Sequence, residues 1–138
     1  LITKLKSSNF RFVEIETSGT INPSVDIRNS IDWWNCSPKL SNSLLKKSDR
    51  IVPDAIESFC NMNNVDYKFV VRNSKDVDEM EQDYGAFIPK DKIWLMPEGL
   101  TSASQIKRLK EIMQVCLDRG YRITPRLHIL LWGNEKGK

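Results

Sequence analysis

The sequence predicts an α/β fold with a mostly parallel sheet. Two observations carry that expectation. Short apolar runs of strand length alternate with amphipathic segments of helical period along the chain. The segments between successive runs can hold crossover helices, as parallel pairing requires. Right-handed crossovers allow either an open doubly wound sheet or an arc of a β/α barrel. Binary pattern alone does not choose between them.

The elements follow in order. Leu1-Ile2 reads as the end of a helix. A strand is expected over residues 11–16, where Val13 and Ile15 alternate with Glu14 and Glu16, and Thr17-Ser18-Gly19-Thr20 breaks it. A second strand covers residues 31–36 and stops at Ser37-Pro38-Lys39, since proline cannot donate to a ladder. Residues 41–47 read as a weak helix or loop. A helix follows over residues 53–62, with Pro53 at its first position and Asp54 near its positive end. A third strand covers residues 67–72. Ser74 is the expected N-cap of a helix running to Tyr84. A fourth strand covers residues 92–96 and ends at Pro97-Glu98-Gly99. Ser102 and Gln105 suit a capping box. Behind them Ile106, Leu109, Ile112, Met113, Cys116 and Leu117 form one apolar face, which Gly120 closes. A last strand is expected within residues 121–132, interrupted by Pro125.

Bulk properties narrow the function classes. The 138 residues suit one domain spanning the whole chain. Net charge is +3, with the cations spread rather than striped, so no direct nucleic-acid partner is expected. No apolar run approaches the ~20 residues that cross a bilayer, and the opening residues lack a signal-peptide core. Cys36, Cys60 and Cys116 are odd in number and form no CxxC pair, unlike a disulfide framework or zinc site. Each reads as a small buried hydrophobe, and a reduced, cytoplasmic setting is the simplest account.

In both candidate architectures ligands bind at the carboxyl ends of the strands. Those ends carry Glu16-Thr17-Ser18, Ser37-Pro38-Lys39, Arg72-Asn73-Ser74 and Met96-Pro97-Glu98-Gly99, and the region of the last expected strand carries the sole histidine, His128. Each also has a bland reading. Glu16 suits an exposed strand position, Lys39 a solvated surface, Pro97-Glu98-Gly99 a linker, and His128 a core histidine. Trp33-Trp34 suits core packing. No P-loop, HExxH or dinucleotide fingerprint is present.

Four motifs together go further. Val13-Glu14-Ile15-Glu16-Thr17-Ser18-Gly19-Thr20, Cys36-Ser37-Pro38-Lys39, Trp94-Leu95-Met96-Pro97-Glu98-Gly99, and Pro125-Arg126-Leu127-His128 running on to Trp132-Gly133-Asn134 resemble the 7-carboxy-7-deazaguanine synthase family in order and spacing. That family belongs to the radical S-adenosylmethionine superfamily. The resemblance implies a partial (β/α) barrel of that type, lacking its N-terminal strands. It implies the radical rearrangement of 6-carboxy-5,6,7,8-tetrahydropterin to 7-carboxy-7-deazaguanine with release of ammonia, a step of queuosine-type biosynthesis. It implies S-adenosylmethionine, a four-iron four-sulfur cluster, magnesium and an external reductant. Homodimers are usual in the family.

By position, Ser37, Pro38 and Lys39 resemble the family's S-adenosylmethionine contacts. Met96, Pro97, Glu98 and Gly99 fall where the family wraps adenosine, and Glu16, Thr17 and Ser18 sit on the cofactor edge. His128 resembles the substrate histidine. Lys138 is a candidate because the family uses its terminal carboxylate at the substrate. The resemblance also places the cluster cysteines, the magnesium-binding hydroxyl and a Gly-Gly-Glu-Pro motif upstream of Leu1, so this chain alone is expected to be inactive. The alternatives are a non-catalytic nucleoside-binding or interaction module and another radical enzyme sharing the barrel. Residues encoded upstream of Leu1 would distinguish the module from an enzyme.

Overall fold

The structure, a computed structural model, describes residues 2–8 and 11–135. Five parallel strands form one sheet in sequential order: β1 (Glu14–Thr17), β2 (Trp33–Cys36), β3 (Val65–Val71), β4 (Ile93–Pro97) and β5 (Arg122–Ile123). The helices are α1 (Ile2–Ser7), α2 (Val25–Ser30), α3 (Lys47–Arg50), α4 (Pro53–Cys60), α5 (Ser74–Tyr84), α6 (Ser102–Arg119) and α7 (Leu127–Trp132). Short 3-10 turns occupy Ser41–Ser43 and Lys90–Lys92. No helix among the described residues is long and apolar enough to cross a membrane.

Strand alternation decides the architecture. In β3, Val65, Tyr67, Phe69 and Val71 are buried, while Asp66, Lys68 and Val70 are only partly covered. In β4, Ile93 and Leu95 are buried, and Trp94 and Met96 are partly covered. The buried set joins Ile56 and Phe59 of α4, Val77, Met80 and Tyr84 of α5, and Ile112 and Cys116 of α6 in one core cluster. One sheet face is thus packed under helices, and the other is only partly covered and mixes polar with apolar side chains. A doubly wound sheet would bury both faces. This sheet is an arc of a (β/α) barrel, with helices outside and a partly open inner wall.

Several element expectations need correction. β1 begins at Glu14 rather than residue 11, because the Asp32 carboxylate takes the Val13 N–H at 2.8 Å in place of a strand partner. The helix α2 was missed; it is short, and Ser24 caps it by accepting from Ile27 N–H at 3.5 Å. Residues 41–47 divide between a 3-10 turn and the start of α3. The cap of α5 is Asn73, whose side chain accepts from Lys75 N–H at 3.0 Å, so Ser74 is already helical. The cap of α6 is Thr101, in a reciprocal box with Ser104, rather than Ser102 with Gln105. Its inward stripe is Gln105, Ile112 and Cys116, while Ile106 and Leu117 are exposed. Finally, β5 is only two residues long, and Leu127–Trp132 is helical rather than extended. Pro125 denies the chain a ladder N–H there, so the strand stops before it.

Candidate functional site

The carboxyl ends of the strands surround a cavity of about 200 Å³ lined by Glu16, Ser37, Lys39, Lys68, Val70, Met96, Arg126 and His128. These residues come from β1, the loop after β2, β3, β4, the loop after β5, and α7. The parallel register brings them together: Glu16 pairs with Asn35, and Val70 with Met96, so inner-wall side chains of neighbouring strands stand side by side.

The loop after β2 is clamped from behind. Ser37 is buried, and its N–H donates to the Thr17 carbonyl. The Lys39 carbonyl accepts from Tyr84 Oη at 2.9 Å and from Arg50 Nη1 at 3.3 Å. Arg50 is itself buried against Asp83 at 2.9 Å and Glu79 at 2.8 Å. Glu79 also accepts the Ser41 N–H at 2.8 Å and its hydroxyl at 2.6 Å. Burial pushes the Tyr84 phenol up to about 12, so it stays a neutral donor. The fixed backbone directs the Lys39 ammonium into the cavity, where it donates to Ser37 Oγ at 3.3 Å.

The electrostatics favour an anion. Burial draws the Lys39 ammonium below its ordinary value; Lys68 and Arg126 add repulsion, and Glu16 opposes the shift. Glu16 is engaged by Lys68 at 2.9 Å. Three cations therefore share the cavity with one carboxylate. A ligand carboxylate would relieve their repulsion, and the Ser37 hydroxyl offers a further polar contact. Beneath lies a second cavity of about 280 Å³, lined by Asn35, Asp66, Lys68, Trp94, Met96 and Thr124. Lys68 and Met96 border both cavities. The Arg122 guanidinium lies 5.2 Å from the Trp94 ring centroid and 3.9 Å from Asp66.

Of the residues singled out in the sequence, Glu16, Ser37, Lys39, Met96 and His128 line the upper cavity. Pro38, Pro97 and Gly99 are buried and are not among the lining residues. Thr17 and Ser18 are turned to their own loop: Thr17 Oγ1 accepts from Gly19 N–H at 3.2 Å, and Ser18 Oγ shares a bond with Thr20 Oγ1 at 3.0 Å. Glu98 is exposed and is not among the lining residues; its N–H donates to Val71 O at 2.9 Å. Lys138 lies outside the described residues. Sequence reading missed Lys68, Val70 and Arg126. Lys68 and Val70 were detectable as the residues alternating with Tyr67, Phe69 and Val71, and Arg126 stands two places before His128.

The cysteines do not fit an iron–sulfur site. Cys36 and Cys116 are buried, and burial pushes the Cys36 thiol up to about 12, away from the thiolate a metal needs. Among the described residues no cluster of three or more His, Cys, Asp or Glu could hold a metal ion.

Comparison with known proteins gives the following. No protein-family model matches the chain. A 7-carboxy-7-deazaguanine synthase from Pyrobaculum aerophilum is 36% identical over 127 residues, covering 91% of this chain and 54% of that protein. A protein of the same name from Halobacterium salinarum is 30% identical, covering 87% of this chain and 54% of its own length. One from Rhodopirellula baltica is 28% identical, covering 99% and 56%. The chain thus spans about half the length of the curated relatives it matches. The crystal structure of QueE from Escherichia coli shares the fold, with a TM-score of 0.58 at 22% identity over 90% of this chain and 48% of that one.

Proposed function

We propose that this chain, whose sequence is related to the 7-carboxy-7-deazaguanine synthases over about half of their length, forms the C-terminal part of such a synthase. In this reading it walls the sites of the adenosyl cofactor and the pterin substrate. One observation carries the proposal: Glu16, Ser37, Lys39, Met96 and His128, drawn from nearly the whole chain, line a single cation-rich cavity at the carboxyl ends of parallel strands.

S-adenosylmethionine fits the donor set. The Lys39 ammonium would pair with its carboxylate, the Ser37 hydroxyl would bond a ribose or carboxylate oxygen, and Met96 would pack against the adenosine. When bound, that cofactor supplies the radical chemistry that converts 6-carboxy-5,6,7,8-tetrahydropterin to 7-carboxy-7-deazaguanine, with electrons from an external reductant. His128 would hydrogen-bond the pterin beside it. Among the described residues no group of three or more His, Cys, Asp or Glu could hold a metal ion, so in this reading the ligands of the iron–sulfur cluster lie in another segment of the synthase.

The test is an anaerobic assay of the protein carrying this chain, reconstituted with iron and sulfide and supplied with S-adenosylmethionine, magnesium, reductant and the carboxypterin. Formation of 7-carboxy-7-deazaguanine is expected; cofactor cleavage without that product would overturn the substrate assignment. His128→Ala is expected to retain cleavage of S-adenosylmethionine but to make little product. Lys39→Ala is expected to weaken cofactor binding on the order of ten- to a hundredfold, since a charge-assisted hydrogen bond contributes ~1.5–3 kcal/mol. An unchanged affinity would count against that pairing.

A further inference from the structure

We infer that Gln105 is a positioning residue that fixes the cofactor wall and the substrate wall of this cavity to one another. The inference rests on the reading of the cavity given above. Gln105 lies in the first turns of α6 and is only 1% exposed. A buried primary amide must satisfy its donors and its acceptor. Gln105 does so with three backbone groups: one at the end of β4, one in the loop after it, and one in the loop before α7. Its Nε2 donates to Pro97 O at 2.8 Å and to Gly99 O at 3.0 Å. Its Oε1 accepts from Arg126 N–H at 3.2 Å.

The two loops carry different parts of the cavity. Pro97 and Gly99 follow Met96, and Arg126 begins the segment that presents its own guanidinium and His128. Arg126 Nε also reaches Met96 Sδ at 3.3 Å, so the walls touch in front of the bridge as well as behind it. Ser102, one turn earlier on α6, directs its hydroxyl to the carbonyls of Ile129 and Leu130 in α7, at 2.9 and 3.0 Å. The start of α6 therefore grips both loops.

Gly99 permits the close approach. It has φ +153°, and a Cβ there would lie 2.6 Å from Ser104 Oγ and 3.1 Å from Gln105 N. The loop thus lies directly on the helix start, within reach of one short side chain. Neither leucine nor glutamate can replace that side chain fully. Leucine makes none of the three bonds. Glutamate keeps an acceptor for Arg126 but sets a carboxylate oxygen against two carbonyls.

Amide hydrogen exchange and ligand binding in the native protein carrying this chain, and in its Gln105→Leu and Gln105→Glu variants, test the inference. In the native protein the Arg126 amide is expected to be protected, and S-adenosylhomocysteine should increase that protection although it binds on the Met96–Gly99 side. Gln105→Leu should lose the basal protection and the ligand response, and weaken S-adenosylhomocysteine on the order of tenfold. Gln105→Glu should weaken the ligand similarly yet keep Arg126 protected, a split that general destabilisation would not produce. Arg126 exchange and ligand affinity both unchanged in Gln105→Leu would overturn the inference. Should Gln105→Leu unfold the chain, an unchanged affinity in Gln105→Glu would overturn it equally. Failure of the native protein carrying this chain to bind S-adenosylhomocysteine would instead sink the cofactor reading, while the variant-dependent exchange at Arg126 would still decide whether Gln105 bridges the loops.

Discussion

Gly19 turns the chain out of β1 with φ +73°, and a Cβ there would collide with Cys36 Sγ. The first site loop and the end of β2 therefore meet through a contact that admits no side chain. Gly19→Ala is expected to lower stability by about 1–3 kcal/mol, from backbone strain and the steric clash together. Urea denaturation would read this as a lower midpoint. Cys36→Ala removes the colliding sulfur, so the double variant should cost less than the sum of the two single ones. Strict additivity would show that the clash contributes nothing. The buried thiol is explained by this packing, in keeping with its reading as a small hydrophobe. Tyr84 shows what composition hides: its hydroxyl serves the carbonyls of Lys39 and Arg50, at 2.9 and 3.2 Å, across a wide gap in sequence.

Elements are joined by polar clamps as well as by the core. Asp76 of α5 receives Arg72 N–H at 2.8 Å, the Arg72 guanidinium at 3.0 Å and the Asn42 amide at 3.0 Å. Burial opposes its charge, but these donors prevail and hold the carboxyl below its ordinary 3.8. Asp83 behaves alike, with burial outweighed by Lys47 and Arg50. Both folded-state values are depressed, so the unfolded chain takes up protons first as pH falls. Their stabilisation is present above the ordinary carboxylate range and is lost as pH drops through the lower folded values. The urea midpoint should therefore decline between about pH 5 and about pH 2, and Asp76→Asn should flatten that decline. An unaltered pH profile in Asp76→Asn would refute the assignment. Strand and helix type were largely legible, because Tyr67, Phe69 and Val71 or Ile112 and Cys116 recur at their element's own period, whereas the sequential strand order was not. The caps of α5 and α6 were misplaced by one residue, since neighbouring Asn, Ser and Thr compete for the same role. In α7, His128 and the leucines around it suit a strand or a helix equally, and only the brevity of β5 decides. The site was legible at its loops through the quoted motifs. It was not legible at Arg126, whose side chain joins Lys68 at one cavity from the loop after β5, far away in sequence.

Across the molecule the packed face of the sheet faces outward to helices, and much apolar surface remains uncovered. Phe12, Ile21 and Val25 are exposed near one edge strand, and Leu127, Leu131 and Trp132 near the other. Patches of this kind favour association, and the edge strands offer unpaired backbone groups. Sedimentation equilibrium of the chain is expected to give an average mass that rises with concentration, and Leu127→Ser with Leu131→Ser should reduce that rise. A mass of one chain at every concentration would refute it. The sequential order of the five strands has a further consequence. Each new strand docks beside the one made just before it, and none must be threaded between two already in place. A ribosome could therefore release this arc strand by strand, with every intermediate already holding its final neighbours and only its newest edge waiting for a partner.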